Sequence, residues 1–230
     1  MATIADNLQA IGARIRRAAQ AASREPSSVI LLAVSKSQPA PCIEQAHAAG
    51  QRAFGENYVQ EAVEKMAALP AGLEWHLIGA LQSNKTRLAA ERFDWIHTLA
   101  SEKIARRLSE QRPAGRAPLN VLIQVNISAE DSKAGVAPEA ARLLCEGISG
   151  LKNLRLRGLM AIPEPGAPRS RYAEVRRLYE SLQARFGFDT LSMGMSDDME
   201  VAIAEGATMV RIGTAIFGAR ISRPERHAFS

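Results

Sequence analysis

The sequence is poor in cysteine and in long apolar runs, and each shortage excludes a class of protein. Its 230 residues include two cysteines, Cys42 and Cys145, which stand far apart without CxxC spacing. A disulfide framework or a zinc site is therefore not expected. No apolar run reaches the roughly 18 residues that a membrane helix needs, and residues 1–24 lack the apolar centre of a secretory signal. These absences favour a soluble protein of the cytoplasm.

Aromatic residues are also scarce, at 5% of the chain, and no basic patch surrounds them. Lysine and arginine total 29 against 24 acidic residues, which gives a net charge of +5. The basic residues stand singly or in pairs such as Arg16-Arg17 and Arg106-Arg107. Because nucleic-acid-binding proteins gather such charge on one face, the scatter indicates solvated helix faces and no nucleic-acid partner. Metal-ligand spacings and the GxSxG, Walker and GxGxxG motifs are missing as well.

What the sequence does have is an alternation of apolar, strand-like runs with helical stretches. The predicted strands are Val29–Ser35, Arg52–Gly55, Glu74–Gly79, Trp95–Leu99, Val121–Ile127, Arg155–Met160, Thr190–Met193 and Met209–Ile212. Such alternation indicates an α/β protein with a parallel sheet. Eight units in about 200 residues predict a closed (β/α)8 TIM barrel near its lower size limit. A doubly wound open sheet is the alternative, because counting strands does not prove closure.

Residues 1–24 are predicted to form an extra helix ahead of the eight units. Ile4, Leu8, Ile11 and Ile15 follow helical spacing and form one apolar stripe on an otherwise polar helix. The stripe is suited to packing on the barrel. Because no Pro/Gly/Ser-rich linker is long enough to separate domains, residues 1–230 are predicted to form a single barrel domain that includes this helix.

Lys36 follows the first predicted strand, which places it at the functional end of a barrel. The lysine either extends into water or presents an amine in a partly apolar mouth. Desolvation in such a mouth lowers the pKa of an amine and favours its attack on an aldehyde. Lys36 is therefore a candidate to hold a sugar aldehyde or pyridoxal phosphate as a Schiff base.

Two turns of small residues follow the last two strands. Gly194 permits close backbone approach, and Ser196 followed by acids has the pattern of a helix N-cap. Gly213 and Thr214 come directly after the eighth strand. Since phosphate sites in barrels commonly form from these two loops, the turns predict a ligand that carries a phosphate.

Other residues on or near the strands can be explained by structural roles alone. Arg211 lies near the end of the eighth strand, where a salt bridge with a nearby acid is the alternative to a role in the site. His76 lies inside the third strand and is interpreted as a satisfied core residue, whereas His97 has no partner that the sequence identifies. Cys145 is predicted to lie in the core on a helix.

Seven blocks of the sequence form a familiar set. They are "AVSK", "FGENYVQE", "WHLIGALQSNK", "QVNIS", "GLMAI", "SMGMSDDMEVAI" and "VRIGTAIFG", in order from about Leu31 to Gly218. Together they closely resemble the YggS/PROSC family of pyridoxal phosphate homeostasis proteins, and "ISAEDSKAGV", with Lys133, is a looser match. The resemblance implies a single (β/α)8 barrel of fold type III, the alanine racemase N-terminal-domain type.

The resemblance also implies where the cofactor binds. It implies a Schiff base of pyridoxal phosphate on Lys36 and an approach of Arg211 to the pyridine nitrogen. Asn57 and Met160 match family positions near the ring. The cofactor-binding residues implied in this way are Lys36, Asn57, Met160, Ser196, Arg211, Gly213 and Thr214.

Two considerations favour a binding protein over an enzyme. An arginine that faces the pyridine nitrogen keeps it unprotonated, because adjacent positive charges repel, and this weakens the ring as an electron sink. Racemisation also needs a second base on the opposite face of the substrate. In alanine racemases, which this fold resembles, that base is a tyrosine of an additional β domain, and this sequence ends at Ser230, directly after the eighth unit.

We therefore expect a monomeric, cytoplasmic protein that carries or buffers pyridoxal phosphate, contributes to vitamin B6 homeostasis and performs no catalytic turnover. Apoenzymes that depend on pyridoxal phosphate are its expected partners. A pyridoxal-phosphate-dependent amino-acid racemase is the first alternative. A lysine-dependent aldolase that binds a sugar phosphate is a further one, against which the lack of an obvious acid/base partner beside Lys36 counts.

Overall fold

The computed structural model describes residues 2–128 and 134–219, and within them eight parallel strands close into a barrel in sequence order. The strands are β1 (Ile30–Val34), β2 (Ala53–Glu56), β3 (Glu74–Leu77), β4 (Trp95–Leu99), β5 (Leu119–Val125), β6 (Leu154–Ala161), β7 (Thr190–Ser192) and β8 (Met209–Ile212). All eight predicted strands are therefore present, and their ends differ from the predicted ones by at most two residues.

Helices precede β1, connect successive strands and follow β8. They are α1 (Ile4–Ala21), α2 (Ala40–Ala48), α3 (Val59–Ala68), α4 (Thr86–Arg92), α5 (Glu102–Gln111), α6 (Pro138–Ile148), α7 (Arg169–Phe186), α8 (Met199–Ala204) and α9 (Thr214–Phe217). No helix in the described part of the chain is both long enough and apolar enough to span a bilayer.

Pairing of the first and last strands closes the barrel. β1 and β8 run parallel in a register that extends from Ile30 opposite Met209 to Ala33 opposite Ile212. An open, doubly wound sheet has two edge strands and does not run in sequence order, whereas here each strand pairs with its sequence neighbours and β1 pairs with β8. The prediction of a closed (β/α)8 barrel is thus confirmed, and the open sheet is excluded.

Apolar packing occurs in two layers. Outward-facing strand residues such as Phe54 and Ile96 are fully buried together with helix residues such as Ala62 and Leu108. Two smaller clusters consist of strand residues and lie inside the barrel. Their buried members are Leu32, Ala53 and Met209 in one, and Trp95, Leu122 and Met160 in the other. The inner layer is small because polar side chains occupy the rest of the barrel interior.

The predicted N-terminal helix is α1. A capping box begins it: the Thr3 hydroxyl accepts a hydrogen bond from the Asp6 N–H, and the Asp6 carboxylate accepts one from the Thr3 N–H. Ile11 and Ile15 of the predicted stripe are buried, together with Ala19. The stripe packs against α8 and α9, which are the helices that follow the last two strands.

Candidate binding site at the carboxyl end of the barrel

A cavity of about 580 Å³ opens at the carboxyl ends of the strands. Its polar wall contains six of the seven predicted site residues: Lys36, Asn57, Ser196, Arg211, Gly213 and Thr214. Val34, Ile78 and Ile162 form an apolar part of the wall. The volume lies within the range of small-molecule sites, which combine an apolar lining with a few polar groups in the same way.

Met160 is the predicted site residue that the structure does not bring to this wall. It is fully buried in the inner cluster with Trp95 and Leu122. Its β6 position pairs in register with Ser192 of β7. Met160 therefore lies in the barrel interior, and its contact with a ligand stays a prediction.

Lys36 lies on a short loop that buried groups hold in place. The Ser35 hydroxyl donates to Oε1 of Glu56, and the Ser35 carbonyl accepts from Nζ of Lys65 at 2.8 Å. Ser37, with φ of +60°, donates its N–H to Oε1 of Glu61 at 2.8 Å. The residues on both sides of Lys36 are thus anchored, so the backbone of Lys36 has a defined position.

The anchor of this loop is a buried cluster of three charged side chains. Nζ of Lys65 lies 2.7 Å from Oε1 of Glu56 and 2.7 Å from Oε1 of Glu61. Burial raises the pKa of Glu56 above its usual range, although the ammonium of Lys65 opposes the shift. Lys65 was not among the residues predicted from the sequence, although its spacing of four residues from Glu61 places both on one helix face.

Arg211 is buried and donates hydrogen bonds to neutral acceptors. Nη1 donates to Oγ of Ser192 at 2.8 Å, and Nη2 donates to the carbonyl of Ala161 at 3.0 Å. Burial lowers the pKa of Arg211 to about 10, so the guanidinium is still charged at neutral pH. Among residues 2–128 and 134–219 no carboxylate forms a salt bridge with it.

A chain of hydrogen bonds leads from Arg211 through the barrel interior. Oγ of Ser192 lies 3.2 Å from Nδ1 of His97, and Nε2 of His97 lies 2.9 Å from Nδ1 of His76. Nε2 of His76 lies 2.7 Å from Oε1 of Glu74. The prediction of a satisfied core histidine holds for His76, and His97, for which the sequence identified no partner, lies between Ser192 and His76.

The two ends of this chain fix the direction of every bond in it. Arg211 only donates, so the Ser192 hydroxyl is free to donate to Nδ1 of His97. Neutral His97 then carries its proton on Nε2 and donates to His76, which in turn donates to the carboxylate of Glu74. Burial lowers the pKa of both imidazoles, which is consistent with two neutral rings. The hydrogen bond from His76 lowers the pKa of Glu74, which is consistent with an ionised acceptor.

Aromatic and cationic groups surround the far part of this chain. The rings of His76 and Trp95 stack with their centroids 5.2 Å apart and an interplanar angle of 8°. The guanidinium of Arg157 lies 4.7 Å from the Trp95 ring centroid. The contacts of Glu74, Trp95 and Arg157 with this chain were not predicted from the sequence. The available signal was that Glu74 and His76 are two residues apart on β3, so their side chains lie on the same face of the strand.

The loop after β7 carries Ser196 to the cavity through a turn that requires glycine. Gly194 has φ of +96°, and a Cβ at this position would lie 2.6 Å from Cβ of Ala202. Asp198 is the N-cap residue of α8, and its carboxylate accepts hydrogen bonds from the Met195 N–H and the Tyr172 hydroxyl. The expected N-cap role of Ser196 was wrong, because α8 begins three residues later, and its side chain is left for the cavity.

The remaining polar wall comes from the loops after β2 and β8. Asn57 follows β2 closely, and its backbone lies against Gly79, where a Cβ would come within 2.2 Å of the Asn57 carbonyl oxygen. Gly213 is the N-cap residue of α9, and Thr214 begins that helix with an exposed side chain. Ser196, Gly213 and Thr214 therefore form the side of the cavity that α8 and α9 support.

The wall combines an amine, a buried guanidinium, two hydroxyl groups and one carboxylate, that of Asp197. Within the described ranges no group of three or more His, Cys, Asp or Glu side chains is arranged to hold a metal ion. Lys133 lies outside the described residues. The observed groups suit a small anionic aldehyde: the amine can capture a carbonyl, and the hydroxyls and small-residue turns can bind a phosphate.

Comparisons with known proteins agree with this geometry. A family model described as "Alanine racemase, N-terminal domain" matches residues 7–221. The pyridoxal phosphate homeostasis protein of Pseudomonas aeruginosa is 61% identical over 223 residues, which cover 96% of this chain and 97% of that protein. The protein of the same name from Escherichia coli strain K12 is 54% identical over 229 residues, 96% of this chain and 98% of that protein.

A solved structure of PipY from Synechococcus elongatus, described as having pyridoxal phosphate bound, superposes with a TM-score of 0.80. It is 41% identical and covers 94% of this chain and 100% of that one. The matched lengths are nearly whole in all three relatives. The chain therefore belongs to the family of the pyridoxal phosphate homeostasis proteins, within the alanine racemase N-terminal-domain family.

Proposed function

We propose that this protein binds pyridoxal phosphate and contributes to its homeostasis in the cell. The main support is a cavity of suitable size in a member of this family. It brings Lys36 and Arg211 together with the two turns that carry Ser196 and Thr214. The amine, the guanidinium and the hydroxyls match the aldehyde, the ring and the phosphate of this cofactor.

Each group of the wall has a role in the proposal. When bound, the cofactor supplies an aldehyde, which the amine of Lys36 can capture reversibly as a Schiff base. Ser196, Gly213 and Thr214 bind the phosphate, and Arg211 faces the ring nitrogen. The apolar residues Val34 and Ile78 exclude water on one side of the cavity.

We propose that the protein carries or buffers the cofactor and does not turn over a substrate. The buried charge of Arg211 disfavours a second positive charge on the ring nitrogen. None of the three tyrosines lines the cavity: Tyr58 is 65% exposed, Tyr172 donates to Asp198, and Tyr179 packs on Phe188. The described residues that line the cavity therefore include no tyrosine that could act as the second base of a racemase.

We propose that the protein acts in the cytoplasm, as one domain and as a monomer, and delivers pyridoxal phosphate to apoenzymes that require it. Both cysteines are free thiols, and burial raises the pKa of Cys145 to about 12, which makes that thiol unreactive. Unpaired cysteines are usual in a reducing compartment and support this placement.

An absorbance titration tests the proposal. The purified protein is mixed with pyridoxal phosphate, and the Schiff-base band near the visible edge is followed. We expect the band in the wild type and in Lys85→Ala, a control that removes another lysine from the same end of the barrel, and its loss in Lys36→Ala. A wild-type protein without the band would overturn the proposal. Chiral analysis of single amino acids after long incubation tests the absence of turnover, which ordinary enzymatic rates of racemisation would contradict.

A further inference from the structure

The loops that bear Ser196 and Thr214 are each followed by a very short helix. The helix that follows the first loop, α8, has six residues, and the helix that begins at Thr214, α9, has four. Helices this short are not stable in isolation, because too few hydrogen bonds offset the cost of forming the first turn. Their positions must therefore come from packing against other elements.

α7 and β8 contact α8, and α1 packs against both α8 and α9 and contacts both loops with side chains on one face. Nδ2 of Asn7 donates to the carbonyl of Ile216 in α9 at 2.9 Å. Nη2 of Arg14 donates to the carbonyl of Ser196 at 3.0 Å. Asn7 and Arg14 are seven residues apart, two helical turns, so one helix face reaches both sides of the proposed phosphate site.

Arg14 is itself held by a second contact. Its Nε and Nη2 donate to the two carboxylate oxygens of Glu200 in α8 at 2.9 and 3.1 Å. This paired geometry fixes the plane of the guanidinium and offsets its charge. Arg14 does not line the cavity. Its contribution to the site is therefore the position of the Ser196 backbone rather than direct attraction of an anion.

The chain just beyond α1 holds the other end of α8. Nη1 of Arg24 donates to the carbonyls of Ile203 and Ala207, both at 2.8 Å. Ile203 belongs to the last turn of α8, and Ala207 lies three residues beyond the end of that helix. Together with the contacts of Arg14, these bonds connect the N-terminal segment to both ends of α8.

We infer that α1 holds the two phosphate loops in their binding geometry, and that Arg14 and Asn7 are positioning residues for the phosphate of the ligand. The inference rests on the proposed function and extends it, because it assigns the affinity for the phosphate to a helix outside the eight barrel units. Lys36 is anchored separately, by Lys65, Glu56 and Glu61. Capture of the aldehyde and capture of the phosphate therefore depend on different parts of the molecule.

This separation can be measured by comparing two aldehydes on the full-length protein. Pyridoxal phosphate and pyridoxal both offer the aldehyde, but only the first carries a phosphate. We expect Arg14→Gln to weaken binding of pyridoxal phosphate about tenfold, since a charge-assisted hydrogen bond is lost, and to leave the weaker binding of pyridoxal unchanged. Arg17→Gln is the matched control, because Arg17 lies on the same helix with an exposed side chain.

Each outcome decides a different point. A wild type that shows no Schiff-base band with pyridoxal phosphate overturns the proposed function and the inference with it. Equal affinity of the wild type and Arg14→Gln for pyridoxal phosphate overturns the inference alone. Equal weakening for both aldehydes also overturns it, because the loss then lies outside the phosphate loops. If Arg14→Gln unfolds, Asn7→Ala, which removes a single hydrogen bond, gives the same comparison.

Discussion

Nδ1 of His76 lies 2.9 Å from Nε2 of His97, and both imidazoles are fully buried inside the barrel. The pair connects the carboxylate of Glu74, near the amino end of the barrel, to Ser192 and through it to Arg211. A buried, neutral histidine pair makes the stability of the fold sensitive to mild acid, because protonating either ring would place a charge in the interior.

The first prediction is the pH dependence of stability. The pKa of each histidine is lower in the folded protein, so the unfolded chain binds more protons once the pH falls below about 6.5. The contribution of the two histidines to the free energy of unfolding should therefore be constant above that pH and fall below it, by about 1.4 kcal/mol per pH unit for each histidine. Urea denaturation at pH 7.5 and pH 5.5 measures the effect. We expect a smaller decrease in His76→Gln/His97→Gln, and an equal decrease would contradict the assignment.

A second prediction concerns the charged cluster behind Lys36. Lys65→Met leaves Glu56 and Glu61 buried without their cation, and breaking a buried ion pair in this way costs about 3–5 kcal/mol. We expect a correspondingly lower urea midpoint. Lys103→Met, at an exposed position of α5, is the control and should stay close to the wild type. Similar midpoints for the two variants would show that the cluster contributes little.

The third prediction separates backbone strain from side-chain overlap at the turn after β7. Gly194 and Gly50 have nearly equal φ values of +96° and +99°, but an added Cβ meets Ala202 at Gly194 and nothing within 4 Å at Gly50. Both alanine variants should lose about 1 kcal/mol or more from the backbone conformation. Gly194→Ala should lose more, and it alone should weaken binding of pyridoxal phosphate. Thermal denaturation and the absorbance titration test the two parts, and equal behaviour of the variants would contradict the role of the overlap.

The fourth prediction concerns Arg211 and the proposed lack of turnover. Arg211→Gln removes the charge that we propose keeps the ring nitrogen unprotonated, so the bound cofactor should become a stronger electron sink. Exchange of the α-hydrogen of added alanine in deuterated water, followed by NMR, should then be faster than in the wild type. Arg157→Gln is the control, because Arg157 is also a barrel arginine but binds Asp189 and Asn120. A variant that retains the Schiff-base band without faster exchange would contradict the proposed role.

Much of the fold could be predicted because apolar runs mark buried strands directly. The runs that became β1 and β8 were predicted with their ends correct to within one residue, and the position of Lys36 after β1 followed from them. Closure was predicted only from the number of strand–helix units, because the register of β1 against β8 that closes the barrel is encoded by no local pattern.

The polar interior was harder to predict. His97 had no identifiable partner in the sequence, because His76 lies 21 residues away and the two meet only across adjacent strands. For the same reason the sequence left a salt bridge as an alternative for Arg211. In the fold, the guanidinium donates to the hydroxyl of Ser192 and the carbonyl of Ala161. Local residue chemistry predicts that such a group needs a partner, and tertiary structure decides which partner it has.

The location of the tryptophans has a practical consequence. The chain has two, Trp75 and Trp95, and both are buried; Trp95 stacks on His76 and shares an inner cluster with Met160. Tryptophan emission overlaps the absorption of a pyridoxal phosphate Schiff base, so energy transfer to a cofactor in the cavity would quench it. The intrinsic fluorescence of the protein then reports cofactor occupancy continuously and without a label, including during transfer to an apoenzyme.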